Sequence, residues 1–189
     1  MRKNNAFKQD KRFYGKGLSY FIINGGFAIF FLLALLGLGH NDCHAVRGSN
    51  SPVDPALYPD STDVKTWFNS TILLGFVFYT LAAISSLGYI MRAGLLSTIS
   101  AYTEKVARLL TYAVFICVHI MRLSHVGKVC SGDYVHEDAD SEGKTYMMAT
   151  GNFFMTYIFL GWTVVPIMLI VMICIKGDQW AALALDAPK

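Results

Sequence analysis

Four long apolar runs constrain this chain more than any other feature. A helix needs about 20 residues, rising about 1.5 Å each, to cross a hydrocarbon layer about 30 Å thick. The runs fall at 18–38, 67–91, 106–121 and 146–175. The first carries no charge, and the second is stopped by Arg92, with Trp67 and Tyr89 near its ends, where amphipathic rings settle at the headgroup level. The third is short and interrupted by Arg108, so it spans only with that arginine snorkelling to the interface; as a re-entrant segment it would leave an odd number of crossings. The fourth is long and contains Pro166, which predicts tilt or a kink.

Composition agrees with burial in lipid. The 189 residues are 54% hydrophobic and 15% charged, against about 25% charged in soluble domains. A net charge of +3 gives no basis for nucleic-acid binding, and 14% aromatic residues exclude a disordered chain. The first run exceeds the 7–15 residues typical of a signal-peptide core, so a retained helix is expected.

The charges sort by side. Most of the sixteen basic residues lie in the N-terminal arm (Arg2, Lys3, Lys8, Lys11, Arg12, Lys16), the connection between the second and third runs (Arg92, Lys105, Arg108) and the tail (Lys176, Lys189). Most of the thirteen acidic residues lie in the other two connections. Basic flanks stay on the cytoplasmic side. The expected fold is therefore an all-α, integral membrane four-helix bundle with both termini cytoplasmic and two outer loops. It divides into a basic arm (1–17), a four-helix domain (18–175) and a cytoplasmic tail (176–189). The arm's six cations suit anionic lipid headgroups, and the apolar stretch from Trp180 to Leu185 is too short to span and suits the interface.

Of four cysteines, Cys117 and Cys174 fall in apolar runs and read as small hydrophobes. Cys43 and Cys130 stand singly, one in each outer loop, and the expectation is a bridge between them. Such a bridge favours the plasma membrane or a secretory-pathway membrane over the mitochondrial inner membrane. The first loop is rich in proline (Pro52, Pro55, Pro59) and reads as an extended, compact loop. The second contains a glycine- and serine-rich segment from Arg122 to Tyr134 that reads as a fixed turn, followed by an acidic stretch. There Asp138, Asp140 and Glu142 sit at alternate positions before Gly143, like the first half of a calcium loop; position twelve is Ala149, where a bidentate Glu is needed. A solvated acidic loop is the better reading. Asn69-Ser70-Thr71 matches the glycosylation pattern but falls at the start of the second helix, where a polar cluster is expected instead.

Chemistry is sparse. His40, His44, His125 and His136 gather toward the outer side and His119 lies in the third run, without the converging spacing of a metal or haem site. No nucleophile elbow, zinc-protease motif, phosphate loop or outer C-x-x-C pair occurs, so neither an enzyme nor a cofactor is expected. No Asp, Glu or Lys lies inside the four runs, which argues against a proton-coupled transporter. Asn24, Gly25 and Gly26 in the first run, and Thr80, Ser85 and Ser86 in the second, are candidates for helix packing, because small residues admit close approach and Asn or Ser can hydrogen-bond across it.

Four spans with both ends inside and one cysteine in each outer loop resemble the tetraspan class, most nearly the MARVEL-type membrane-organising proteins. The likeness is architectural. Tetraspanins carry Cys-Cys-Gly in the second loop, where this chain has Val129-Cys130-Ser131-Gly132. Claudins carry a Trp and a cysteine pair in the first loop, which here has Cys43 alone, and connexin-like proteins carry three cysteines per loop. The resemblance implies a non-enzymatic scaffold whose partners are membrane lipids and copies of itself or other membrane proteins. An accessory subunit of a larger membrane complex, for example a respiratory one, is the alternative, and a channel or transporter a third reading.

Overall fold

A computed structural model describes residues 2–38, 41–91, 94–135 and 144–185. The chain is mostly helical. Four long helices, α1 (Arg2–Gly37), α2 (Val64–Met91), α3 (Gly94–Leu123) and α5 (Met148–Leu185), are joined by loops that hold one short helix, α4 (His125–Cys130), and two two-residue strands, β1 (His44–Ala45) and β2 (Thr62–Asp63). The strands pair antiparallel, His44 opposite Asp63 and Ala45 opposite Thr62. Both loops, 38–64 and 123–148, lie at one end of the bundle, called the loop end below.

Among the described residues, three helices are long and apolar enough to cross a membrane: Tyr20–Gly37, Val64–Gly88 and Tyr102–Leu123. The fourth long helix, α5, continues through Pro166. The expected bounds shift in three places. α1 extends back through the basic arm to Arg2. α5 runs on to Leu185, so the first part of the expected tail is helical. The largest shift concerns the third run, expected over 106–121; the helix begins at Gly94 and its apolar span at Tyr102. The reason is local. Arg108, read from sequence as a break, forms an i,i+4 ion pair with Glu104 and lies 4.7 Å from the centre of the Tyr20 ring on α1. An internally neutralised pair with an aromatic neighbour interrupts a helix in lipid far less than a lone cation.

The bundle core is built from rings. Phe27 and Phe31 of α1, Tyr79 of α2, Phe115 of α3 and Phe153 and Tyr157 of α5 meet at centroid distances of 5.0 Å (Phe27–Tyr79), 5.4 Å (Phe31–Phe153), 5.0 Å (Phe31–Tyr157) and 5.6 Å (Phe115–Tyr157). All four long helices therefore contribute to one cluster, in offset and edge-on arrangements that suit the ring quadrupoles. Its polar element is a hydrogen bond of 2.8 Å between the Tyr79 and Tyr157 hydroxyls, which keeps two buried O–H groups from facing hydrocarbon unpaired.

Two glycines admit these rings. A Cβ at Gly75 of α2 would collide with the Phe31 ring, and one at Gly161 of α5 with the Phe115 ring. Each phenylalanine thus presses on the bare backbone of the neighbouring helix, the close approach small residues permit in membrane bundles. The sequence reading placed such approaches at Gly25 and Gly26, where no other part of the chain comes within 4 Å of an added Cβ. Ser86 is fully buried, yet its hydroxyl bonds back to the Ala82 carbonyl at 2.8 Å and not across to another helix.

Candidate functional site

The loop end is assembled from both connections. Cys43 and Cys130 form a disulfide, as expected, joining positions 87 residues apart with Cα atoms 5.9 Å from each other, and both residues are buried. The carbonyls of the bridged residues also position the helices that follow. The Cys43 carbonyl accepts from Val64 N–H at 3.1 Å, where α2 begins, and the Cys130 carbonyl accepts from Met147 N–H at 2.7 Å, just before α5.

The start of α2 is fixed further by Asp63. Its carboxylate accepts from Thr66 N–H at 3.1 Å and from the Thr66 hydroxyl at 2.6 Å, the geometry of an N-cap. These bonds, led by the one from the Thr66 hydroxyl, hold the Asp63 carboxyl below the usual carboxylate range against the opposing effect of burial.

The segment read from sequence as a turn is α4. Ser124 caps it, accepting from Gly127 N–H at 3.1 Å, and its hydroxyl donates back to the Met121 carbonyl at 2.8 Å. A Cβ at Gly127 would strike the Met121 carbonyl, so only glycine lets α4 fold back this tightly on α3. Gly132, at φ +81°, then reverses the chain.

Arg122 is the residue that sequence reasoning undervalued most. Read from sequence as the first residue of the turn segment, it is buried, with 5% exposure. Its guanidinium grips Asp133 with two parallel bonds of 2.8 and 2.7 Å and donates through Nε to the Gly151 carbonyl at 3.1 Å. One side chain therefore ties α3, the segment after α4 and α5. Two lighter contacts bind the loops to each other: His125 Nε2 donates to the Ser49 carbonyl at 2.9 Å, and the Thr145 hydroxyl donates to the Asp42 carbonyl at 2.8 Å.

The described histidines do not converge. His125 is engaged with Ser49, and His44 lies in β1 with a buried Nδ1 that has no hydrogen-bond partner among the described residues. His40, His136 and the calcium-loop candidates Asp138, Asp140 and Glu142 lie outside the described residues. Among the described residues no group of three or more His, Cys, Asp or Glu side chains comes together. His119, at membrane depth, has both ring nitrogens engaged. Nδ1 is 2.7 Å from the Phe115 carbonyl, which can only accept, so Nδ1 bears the proton and the Nε2 lone pair accepts from the Trp162 indole N–H at 3.0 Å. The neutral tautomer satisfies every bond, leaving no lone pair for a metal or haem iron. The directions of the helices explain the pairing: side chains tilt toward the N-terminus of their own helix, so His119 on α3 and Trp162 on antiparallel α5 lean toward each other.

A groove of about 610 Å³ opens between α2 and α3 at the end opposite the loops, bordered by Leu81, Ile84 and Gly88 on one side and Tyr102, Val106 and Leu110 on the other. Ser85, expected to pack between helices, lines it with Ser100 and Thr103. Asn69 sits in the second turn of α2, within the apolar span. The basic residues Arg2, Lys3, Lys8, Lys11, Arg12 and Lys16 are carried on the first turns of α1. No protein-family model matches the chain, and neither a curated protein nor a solved structure is significantly similar to it.

Proposed function

We propose that the chain is a four-span membrane protein with both termini cytoplasmic, and that it acts without catalysis as a membrane-organising scaffold, packing laterally against copies of itself. The observation that carries this reading is the outward face of α1. Ile22, Gly26, Ile29, Leu33 and Leu36 follow one another at spacings of four, three, four and three, the seam spacing of a helix that packs against another. The four large residues are exposed, up to 77% at Leu36, and open space lies over Gly25 and Gly26. A small residue in the middle of an unfilled apolar seam is what a second helix needs for close backbone approach in lipid. Asn24, three residues before Phe27 and seven before Phe31, is half-buried on the inward side of α1 and takes no part in this seam.

The filled centre of the bundle supports a static body over a conduction path. Aromatic rings from all four helices occupy it, and the ionic and polar groups near membrane depth pair with one another: Glu104 with Arg108, Tyr79 with Tyr157, His119 with Trp162. The fourth span is α5, which has no charged residue between Met148 and Ile175. The disulfide favours a membrane whose outer face is oxidising, the plasma membrane or secretory pathway. Extraction in mild detergent followed by native sizing tests the reading. A homogeneous oligomer of this chain alone supports it, co-migration with unrelated subunits favours the accessory-subunit role, and solute flux through the purified protein in liposomes would establish transport.

A further inference from the structure

The groove between α2 and α3 rests on a different observation from the α1 seam. Its border runs from Leu81 to Gly88 and from Tyr102 to Leu110, or about 10–12 Å along the helix axes. That places it in the leaflet opposite the loops and extends it over about a third of a 30 Å hydrocarbon layer. The walls are almost entirely carbon, and a gap there forfeits dispersion contacts unless something apolar fills it. The deep end of the groove is apolar, while its mouth is polar: Ser100, Tyr102 and Thr103 gather there.

A cation stands beside the groove, next to its lining residue Tyr102. Lys105 is exposed and extends over the ring of Tyr102, one helical turn earlier, at 5.9 Å from the centroid. The neighbouring Glu104 does not neutralise it, because that carboxylate is buried at 6% exposure and taken by Arg108. Among the described residues Lys105 has no carboxylate partner. On α3 the side chain leans toward the helix N-terminus, away from the loops, so its ammonium reaches toward the headgroup level beside Tyr102, which lines the groove.

We infer that this groove holds one anionic phospholipid of the cytoplasmic leaflet, its acyl chain against Ile84, Val106 and Leu110 and its headgroup phosphate at Lys105 and Tyr102. An acyl chain fits the carbon-lined wall, and the unpaired cation beside the groove selects a negatively charged headgroup over a zwitterionic one. The inference rests on the membrane-spanning reading proposed above. It is separable from that reading, since a chain that stays soluble without detergent sinks the spans, whereas the comparison of headgroups tests the groove alone.

The test uses the full chain, delipidated in mild detergent and supplied with phosphatidylserine or phosphatidylcholine of identical acyl chains. Lipid retention is counted by native mass spectrometry, and the thermal midpoint is followed in parallel, since a ligand of the folded state raises it. The expected result is one retained phosphatidylserine per chain, favoured about fivefold over phosphatidylcholine, with a matching rise in midpoint. Lys105→Gln should bring the two lipids to equal retention, and Val106→Trp, which fills the groove, should lower retention of both. Lys128→Gln at the loop end should leave the preference intact. Equal retention of the two lipids by the unaltered chain overturns the inference. So does a preference that survives Lys105→Gln and disappears when Lys8, Lys11 and Arg12 are replaced together by glutamine, which would assign the headgroup to the basic arm.

Discussion

The two ends of the bundle are built on opposite plans. At the loop end a disulfide, a forked arginine–aspartate pair, a capped helix start and a tight glycine turn are concentrated around the two connections. At the other end α2 and α3 part around a groove of about 610 Å³, and beside it an exposed lysine stands over Tyr102 with no carboxylate partner among the described residues. Hydrophobic driving force between helices is absent in lipid, so specific bonds must set the arrangement. Here most of them sit at the loop end, where water and loops supply polar partners, and a few, such as Tyr79–Tyr157, lie inside the bundle. The contrast teaches that one end fixes the geometry of the bundle, and on the proposed reading the other end and the outer face of α1 are left to meet lipid or a second chain.

The contrast is broken most severely at the bridge. Replacing Cys43 and Cys130 by serine, or reducing the disulfide, should cost about 4–5 kcal/mol on the chain-entropy account for a loop of this length, read as a fall in thermal midpoint in detergent. A midpoint unchanged by reductant would show that the loop end does not depend on its crosslink. Next is Asp133→Ala, which leaves the buried Arg122 guanidinium without its partner. The expected loss is about 3 kcal/mol, and Asp133→Asn, which keeps an acceptor, should lose less. Denaturation of the two variants side by side checks the order.

The Asp63 cap is a smaller effect. Asp63→Ala should cost about 1 kcal/mol. The native carboxyl titrates below its ordinary range, so its contribution is complete above the unfolded value of about 3.9 and is lost as pH falls through the lower native value. A stability profile through that window should steepen in the parent and flatten in Asp63→Ala; identical profiles would remove the cap from the account. Smallest of all is Lys105→Gln, which should change the lipid-free midpoint by no more than about 0.5 kcal/mol, because the exposed side chain contributes no ion pair to the fold. A large loss in that variant would mean the groove end is as structural as the loop end.

Much of this organisation is legible in residues read one run at a time. The apolar runs correspond to α1, α2, α3 and α5, and two lone loop cysteines are enough to expect their bridge. Pairing between distant positions is less legible. Nothing near Arg122 in sequence announces Asp133 and Gly151 as partners, since the contact exists only after α4 has turned the chain back, and α4 itself is too short and glycine-containing to leave a periodic pattern. Glu104 and Arg108 are an exception: their four-residue spacing marks an ion pair, and reading Arg108 alone shortened the third helix. Tyr79 with Tyr157, and His119 with Trp162, depend on the relative rotation of helices, which hydropathy does not encode. Gly25 and Gly26 invite a packing assignment, yet among the described residues nothing lies within 4 Å of an added Cβ at either.

Cysteine scanning along α1 in intact membranes tests that lateral contact most directly. With Cys117 and Cys174 replaced by serine and the loop disulfide retained, single cysteines at Ile22, Gly26, Ile29, Leu33 and Leu36 should give crosslinked dimers, strongest near Gly26 and Ile29. Cysteines at Phe27 and Phe31, on the face turned into the bundle, should give none. Dimers at every position with equal yield, or at no position, would contradict the account of α1 as the surface on which copies of this chain assemble.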